Sequence, residues 1–196
     1  MKGPIVFDFD KTLTDKDTLL GFYRESASNL MFRLKYPVLL LSAILFKAGL
    51  ISNDSLKNIG VRLYLKGYRK SDLEKIALRY SSKIKLNNIY HNDFLKYPSD
   101  QVIIISASFE EYLKPLFPDC KVVGSTLNYQ ENILIGLSVN MYAERKKYWL
   151  NEQNIDRVDE FYTDSFTDRP VMDISNKVYI VEDGKKRKLN NLTKTQ

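Results

Sequence analysis

Short apolar runs that end on an acid or a hydroxyl are separated by long stretches of helical periodicity. This pattern predicts an α/β protein built on a mainly parallel sheet. Residues 4–9 run through Asp8 to Asp10, 102–105 into Ser106, and 160–163 into Asp164. Open parallel sheets bind ligands at the carboxyl ends of their strands, so these polar residues are expected to be neighbours in space. Residues 177–181 predict a fourth strand, and 120–123, 127–129 and 133–139 three more, the last two as a hairpin around 130–132.

Some ~90 residues lie between the first two strands, against the roughly 10–12 of a simple crossover, so an inserted helical module is expected. It is placed at 15–86, with 1–14 and 87–196 forming the core. Leu73, Ile76, Ala77, Tyr80 and Ile84 share one helical face, and Ser71 with Glu74 has capping-box spacing. Another helix is expected from Asn53 or Asp54 to Leu65, ended by Gly67. The apolar stretch 37–51, interrupted by Lys47, falls short of the ~20 residues of a bilayer span. No transmembrane segment is expected from it, but a helix that is buried or interfacial, burial being the favoured alternative.

Composition narrows the chemistry. Hydrophobic residues make up 44% and charged residues 28% of the 196, as in an ordinary packed domain. Cys120 and His91 are the only cysteine and histidine, which excludes an intrachain disulfide framework, a thiolate cluster and a multi-histidine zinc centre. A metal here is expected to be held by oxygen. The net charge of +6 is uneven: residues 15–86 hold 14 basic and 6 acidic side chains, the remainder 16 and 18. That excess favours anionic ligands without the dense tracts of a nucleic-acid binder, and the basic run at 185–188 is expected as a solvated tail. No nucleic-acid partner is expected. The N-terminal apolar run is too short and too soon acidic for a secretory signal, making the cytoplasm the expected compartment.

Asp8 and Asp10 share one face of a strand end, where crowded carboxylates call for a hard dication such as Mg²⁺. Ser106 follows its strand, and Ser108 with Glu111 has capping-box spacing, so a helix N-terminus is expected there as an anion site, with Ser108 as cap and Ser106 facing the ligand. The basic run 144–147 offers Lys146 or Lys147. Asp164 and Asp168 form a second carboxylate pair, with Pro170 in the first turn of the next helix.

With the stretches 8–14 (DFDKTLT), 103–108 (IIISAS), 144–147 (ERKK) and 164–168 (DSFTD) in this order, the chain resembles the haloacid dehalogenase superfamily of phosphohydrolases, in its branch similar to phosphoserine phosphatase. The resemblance spans essentially the full length and implies a Rossmann-like parallel-sheet core interrupted after the first motif by an all-helical cap of the C1 type. It implies a Mg²⁺-dependent phosphatase acting on a phosphorylated small molecule. Asp8 would be the nucleophile that forms an aspartyl phosphate, Asp10 the general acid and base, and Thr12 the residue that orients Asp10. Ser106 would hold a phosphoryl oxygen and Lys146 would offset charge. The metal would be held by Asp8, the backbone carbonyl of Asp10 and Asp164, with Asp168 in support. Thr12, Asp17, Ser106, Ala107 and Lys146 would form the substrate side.

Asp17 stands where the phosphoserine enzymes carry a Glu, Ala107 where they carry a Gly, and Ile59 where a cap Arg pairs with the substrate carboxylate; these departures tell against phosphoserine. The apolar stretch in a basic cap leaves a phosphatidylglycerophosphatase-like alternative, with a phospholipid head group as substrate and peripheral membrane contact. A non-hydrolytic phosphoacceptor or binding protein is the alternative from a different class.

Overall fold

The structure, a computed structural model, describes residues 3–189. The ends of the expected core segments, 1–2 and 190–196, lie outside the described residues. Seven strands form one sheet in the order β4-β3-β2-β1-β5-β6-β7: β1 Ile5–Phe7, β2 Val102–Phe109, β3 Lys121–Gln130, β4 Ile133–Val139, β5 Val158–Thr163, β6 Ser175–Glu182 and β7 Lys185–Lys188. The five central strands are parallel, and antiparallel β4 and β7 close the two edges. This is the α/β architecture expected from the sequence.

Period-2 alternation sorts the core onto the two faces of the sheet. Ile5, Phe7, Val102, Ile104 and Tyr162 point to one face, while Val6, Ile103, Ile105, Phe161 and Val178 point to the other. The first cluster continues without a break into Phe22, Tyr23, Val61, Tyr64, Leu65, Leu73 and Ala77, so the helices inserted after β1 share a core with the sheet. Those helices are α1 (Leu19–Ser26), α2 (Asn29–Lys47), α3 (Asn53–Tyr64) and α4 (Lys70–Ser81). Short α5 (Asn88–Asn92) and α6 (Glu110–Leu113), then α7 (Glu144–Glu152) and α8 (Arg169–Met172), complete the fold.

Several local expectations are corrected. The α4 helix starts at Lys70, with Arg69 at the cap position making no side-chain cap bond, and Ser71 lies inside it. Backbone pairing sets that start: Lys70 N donates to Asn132 O and Arg69 bridges Ile133, which outweighs a capping box worth about 1 kcal/mol. The α3 helix starts at Asn53, as expected, with Ser52 as its cap. The run at 185–188 is a strand paired with β6, not a solvated tail, although its side chains are exposed. The largest correction is α2. It begins at Asn29, capped by Ser28, carries Pro37 in its interior, and at 19 residues is long and apolar enough to cross a membrane by length and composition. It is also not buried, with only 11% of its apolar window covered.

Candidate active site

Parallel register brings the first, second and fourth motifs together. Phe7 pairs with Ile104 on one side and Tyr162 on the other. Asp8 therefore leaves the end of β1 between Ser106 in β2 and Asp164 just beyond β5. Asp8 N donates to Tyr162 O at 2.9 Å, which fixes the backbone at this point. Lys11, at φ 57, then turns the chain away.

Lys146 reaches the same place from α7. Its Nζ is buried, 3.0 Å from Asp8 Oδ1 and 2.8 Å from Asp168 Oδ2. Lys147, the neighbouring candidate, is half-buried on another side of the helix. Thr163 Oγ1 also donates to Asp168 Oδ2, at 2.9 Å, so Asp168 is engaged by Lys146 and Thr163. Burial alone would lower the Lys146 pKa, but Asp8 and Asp168 outweigh it and hold the ammonium well above its ordinary value. Burial pushes Asp8 up to about 7; Lys146 opposes the shift, and the charges of Asp168 and Asp164 add to it. Asp164, half-buried, is raised by desolvation and pulled back by Lys11.

Asp10 occupies a separate environment. Its Oδ1 accepts from Thr18 N at 2.8 Å and Thr18 Oγ1 at 2.7 Å, and its Oδ2 accepts from Ser108 Oγ. Tyr112 OH donates to Ser108 Oγ at 2.6 Å. Burial and the nearby Asp17 raise Asp10 to about 6 against these hydrogen bonds. Thr18 is fixed in turn by Tyr80, whose hydroxyl donates to Thr18 O at 2.6 Å. A side chain at Gly21 would place its Cβ 2.2 Å from that hydroxyl, so glycine there permits the approach.

Three expectations change here. Thr12 does not orient Asp10: its Oγ1 is buried with no partner, and Thr18 and Ser108 hold the carboxylate instead. Ser108 is not a helix cap, because β2 runs on to Phe109 with a register shift after Ile105, and α6 is a single turn starting at Glu110. The anion site expected at a helix N-terminus is thus reduced to the buried Ser106 hydroxyl, whose Oγ accepts from Ser108 N at 3.1 Å. The side chains of Asp10 and Asp168 are both occupied by protein donors. Among the described residues no three His, Cys, Asp or Glu side chains form a ready metal cluster.

A divalent cation nevertheless fits the donor chemistry. Asp8 and Asp164 offer oxygen ligands, both raised mainly by burial with the neighbouring Asp168 adding to the shift, and Mg²⁺ needs only one or two carboxylates with water and phosphate oxygens.

Lys57 was not legible in the sequence. It is buried on α3, where its Nζ donates to Ala107 O, Ser125 Oγ (3.0 Å) and Asn140 Oδ1 (2.7 Å). Ala107 thus enters the site through its carbonyl. Burial lowers Lys57 to about 8. Between pH 8 and the ordinary lysine value of 10.5, the unfolded chain keeps this proton and the folded chain does not, so stability should rise with pH over that interval. Denaturant titrations should show a rise on the order of 3 kcal/mol in the wild type relative to Lys57→Met. Parallel curves for the two proteins would disprove the burial effect.

Lys57 and Asp17 form the polar end of a cavity of about 380 Å³, otherwise walled by Leu19, Leu20, Tyr23, Leu39, Ala43 and Leu56, with Asn53 at its edge. Asp17 Oδ1 accepts from Leu19 N at 2.9 Å at the start of α1. The charges of Asp17 and Lys57 both bear on Asp10, which places this cavity beside the carboxylates.

Comparison with known proteins agrees with the fold. A family model described as haloacid dehalogenase-like hydrolase matches residues 5–173. No curated protein matches the sequence. Among solved structures, a HAD family hydrolase from Salmonella enterica serovar Typhi superposes with TM-score 0.63 at 17% identity, over 88% of this chain and 60% of its own. The match thus spans less than two thirds of that relative's length. A protein of unknown function from Bordetella pertussis Tohama I gives 0.70 at 14% identity, over 91% and 89%. A phosphoserine phosphatase from T. onnurineus gives 0.60 at 19%, over 91% and 82%. At these identities the likeness is one of fold.

Proposed function

The chain belongs to the haloacid dehalogenase-like hydrolase family, and from that premise we propose that it is a Mg²⁺-dependent phosphatase working through an aspartyl phosphate on Asp8. The observation that carries this reading is the separation of two buried carboxyls into different environments. Asp8 lies against the Lys146 ammonium, whereas Asp10 is gripped by Thr18 and Ser108 and is raised to about 6. A nucleophile and a proton carrier two residues apart need such a division of labour.

Asp8 attacks phosphorus, and the bond to the leaving oxygen breaks as the Asp8–phosphorus bond forms. Asp10 gives its proton to the leaving oxygen, then takes one from the water that cleaves the aspartyl phosphate. Ser106 donates its hydroxyl to a phosphoryl oxygen, and Lys146, fixed by Asp168, offsets charge on nucleophile and phosphoryl group. Asp8, the Asp10 carbonyl and Asp164 would hold Mg²⁺, which supplies electrostatic stabilisation of the phosphoryl oxygens.

The substrate we infer is a phosphomonoester whose leaving group is largely apolar, because the cavity beside Asp10 is walled mainly by Leu, Ala and Tyr. Its polar end carries one acid and one lysine, and that lysine is spent on Ala107, Ser125 and Asn140.

Phosphate release from a panel of small phosphomonoesters should fall by about 100-fold or more in EDTA and return with Mg²⁺. Full turnover in EDTA would remove the metal from the scheme. Within the panel, kcat/KM for a medium-chain alkyl phosphate should exceed that for phosphoserine by about tenfold or more. The reverse order would assign the cavity to another ligand.

A further inference from the structure

We propose that α2 is a membrane-docking helix that lies along the surface of a lipid bilayer rich in anionic headgroups. The helix has two unlike faces. Its inner face packs on α3, with the Phe32 and Tyr64 rings 5.4 Å apart and Lys35 Nζ donating to Leu63 O at 2.5 Å. Its outer face carries Leu30, Leu34, Leu41 and Ile44 on one line at helical spacing, between 55% and 67% exposed, with Val38 beside them at 50%. Beyond the end of the helix Leu50 is 70% exposed. A soluble monomer rarely leaves so continuous an apolar strip, about 28 Å long at the α-helical rise, open to water.

Width and charge identify the occupant. A helical protein partner reads a narrow seam of apolar positions, whereas here nearly the whole outer half of the helix is apolar, as in helices that sink partway into the headgroup boundary. Arg33 and Lys47, two heptads apart, mark one edge of the strip. From Ala27 to Ser52 the only charged side chains are Arg33, Lys35 and Lys47, all basic, in a region of 14 basic and 6 acidic residues. A basic rim around an apolar face complements acyl chains flanked by anionic headgroups. The helix lies along the bilayer and does not cross it, because its other half, with Phe32 and Lys35, packs on α3. Crossing would require that half to leave α3. None of this depends on the hydrolytic chemistry, so docking and catalysis can fail separately.

The test is sedimentation of the full chain with vesicles of phosphatidylcholine alone and of phosphatidylcholine with phosphatidylglycerol. Binding should be at least about tenfold tighter to the anionic vesicles and weaken with salt. The paired variant L34D/L41D should lose about tenfold or more of that binding while keeping the wild-type melting temperature and its turnover of a small soluble ester. R33Q/K47Q should keep residual binding but lose most of the preference for anionic lipid. Failure to sediment with either vesicle, indifference to lipid charge, or unchanged binding of L34D/L41D overturns the proposal. So does a stable wild-type dimer that L34D/L41D converts to monomer, since the face would then belong to a second copy.

Discussion

Asp8→Asn should fold normally and release phosphate at least about 10⁴-fold more slowly than the wild type, with no compensating change in KM. The amide keeps the shape of the carboxylate but has no charged oxygen with which to attack phosphorus. Stability should not fall. The Asp8 carboxyl is held at about 7, above its ordinary value, so at neutral pH its ionised form is less favourable in the folded chain than in the unfolded one. Neutral Asn removes that cost while Lys146 keeps its 2.8 Å contact with Asp168. Calorimetry should therefore give a melting temperature at or above that of the wild type. A variant that melts early would show Asp8 to be structural, and one that retains turnover would show another residue to be the nucleophile.

Lys146→Met should damage both stability and catalysis. The substitution leaves Asp8 and Asp168 buried without their cation, a situation that costs roughly 3–5 kcal/mol. For a chain of this size that is a fall of roughly 6–20 °C in melting temperature. The loss should shrink toward acid pH, because Asp8, already raised by burial and deprived of the ammonium that opposes the shift, binds its proton more readily in the folded state than in the unfolded one. Phosphate release should fall by about 10³-fold or more even where the variant is fully folded, since the charge facing the phosphoryl group is gone. Lys147→Met, on the half-buried neighbour, should leave turnover within about twofold of the wild type. Equal damage from the two substitutions would contradict the assignment of Lys146.

The parts of the molecule that the sequence disclosed are those whose physics is local. Buried parallel strands read as apolar runs, so β1, β2 and β5 announced themselves, and the polar residue ending each run marked the edge of the sheet that carries the site. The strand β7 did not, because Lys185–Lys188 has no apolar position and is held to β6 through its backbone. The start of α2 was hidden by the mixture of Asn29, Arg33 and Lys35 ahead of the continuous apolar stretch.

At the site, the four motifs located Asp8, Asp10, Ser106, Lys146, Asp164 and Asp168, but not the partners that set their states. Thr18 and Ser108 grip Asp10 across turns and strands that no short pattern links, and Tyr112, four residues after Ser108, is bonded to that serine and not to Asp10 itself. Lys57 looked like one lysine among many in a basic helical region. Only folding shows it enclosed by Ala107, Ser125 and Asn140. The membrane face illustrates the opposite limit. Its apolar residues were visible from the start, but whether a leucine faces protein or water is decided by packing, and α3 covers one side of the helix only.

The most direct test of the catalytic account is peptide mass spectrometry after acid quench of the enzyme turning over excess phosphomonoester with Mg²⁺. A phosphoryl group should appear on the peptide carrying Asp8, be absent from Asp8→Asn, and vanish once substrate is exhausted. A phosphoryl group on any other residue, none on a protein that is visibly turning over, or one on Asp8 that persists after the substrate is spent would contradict it.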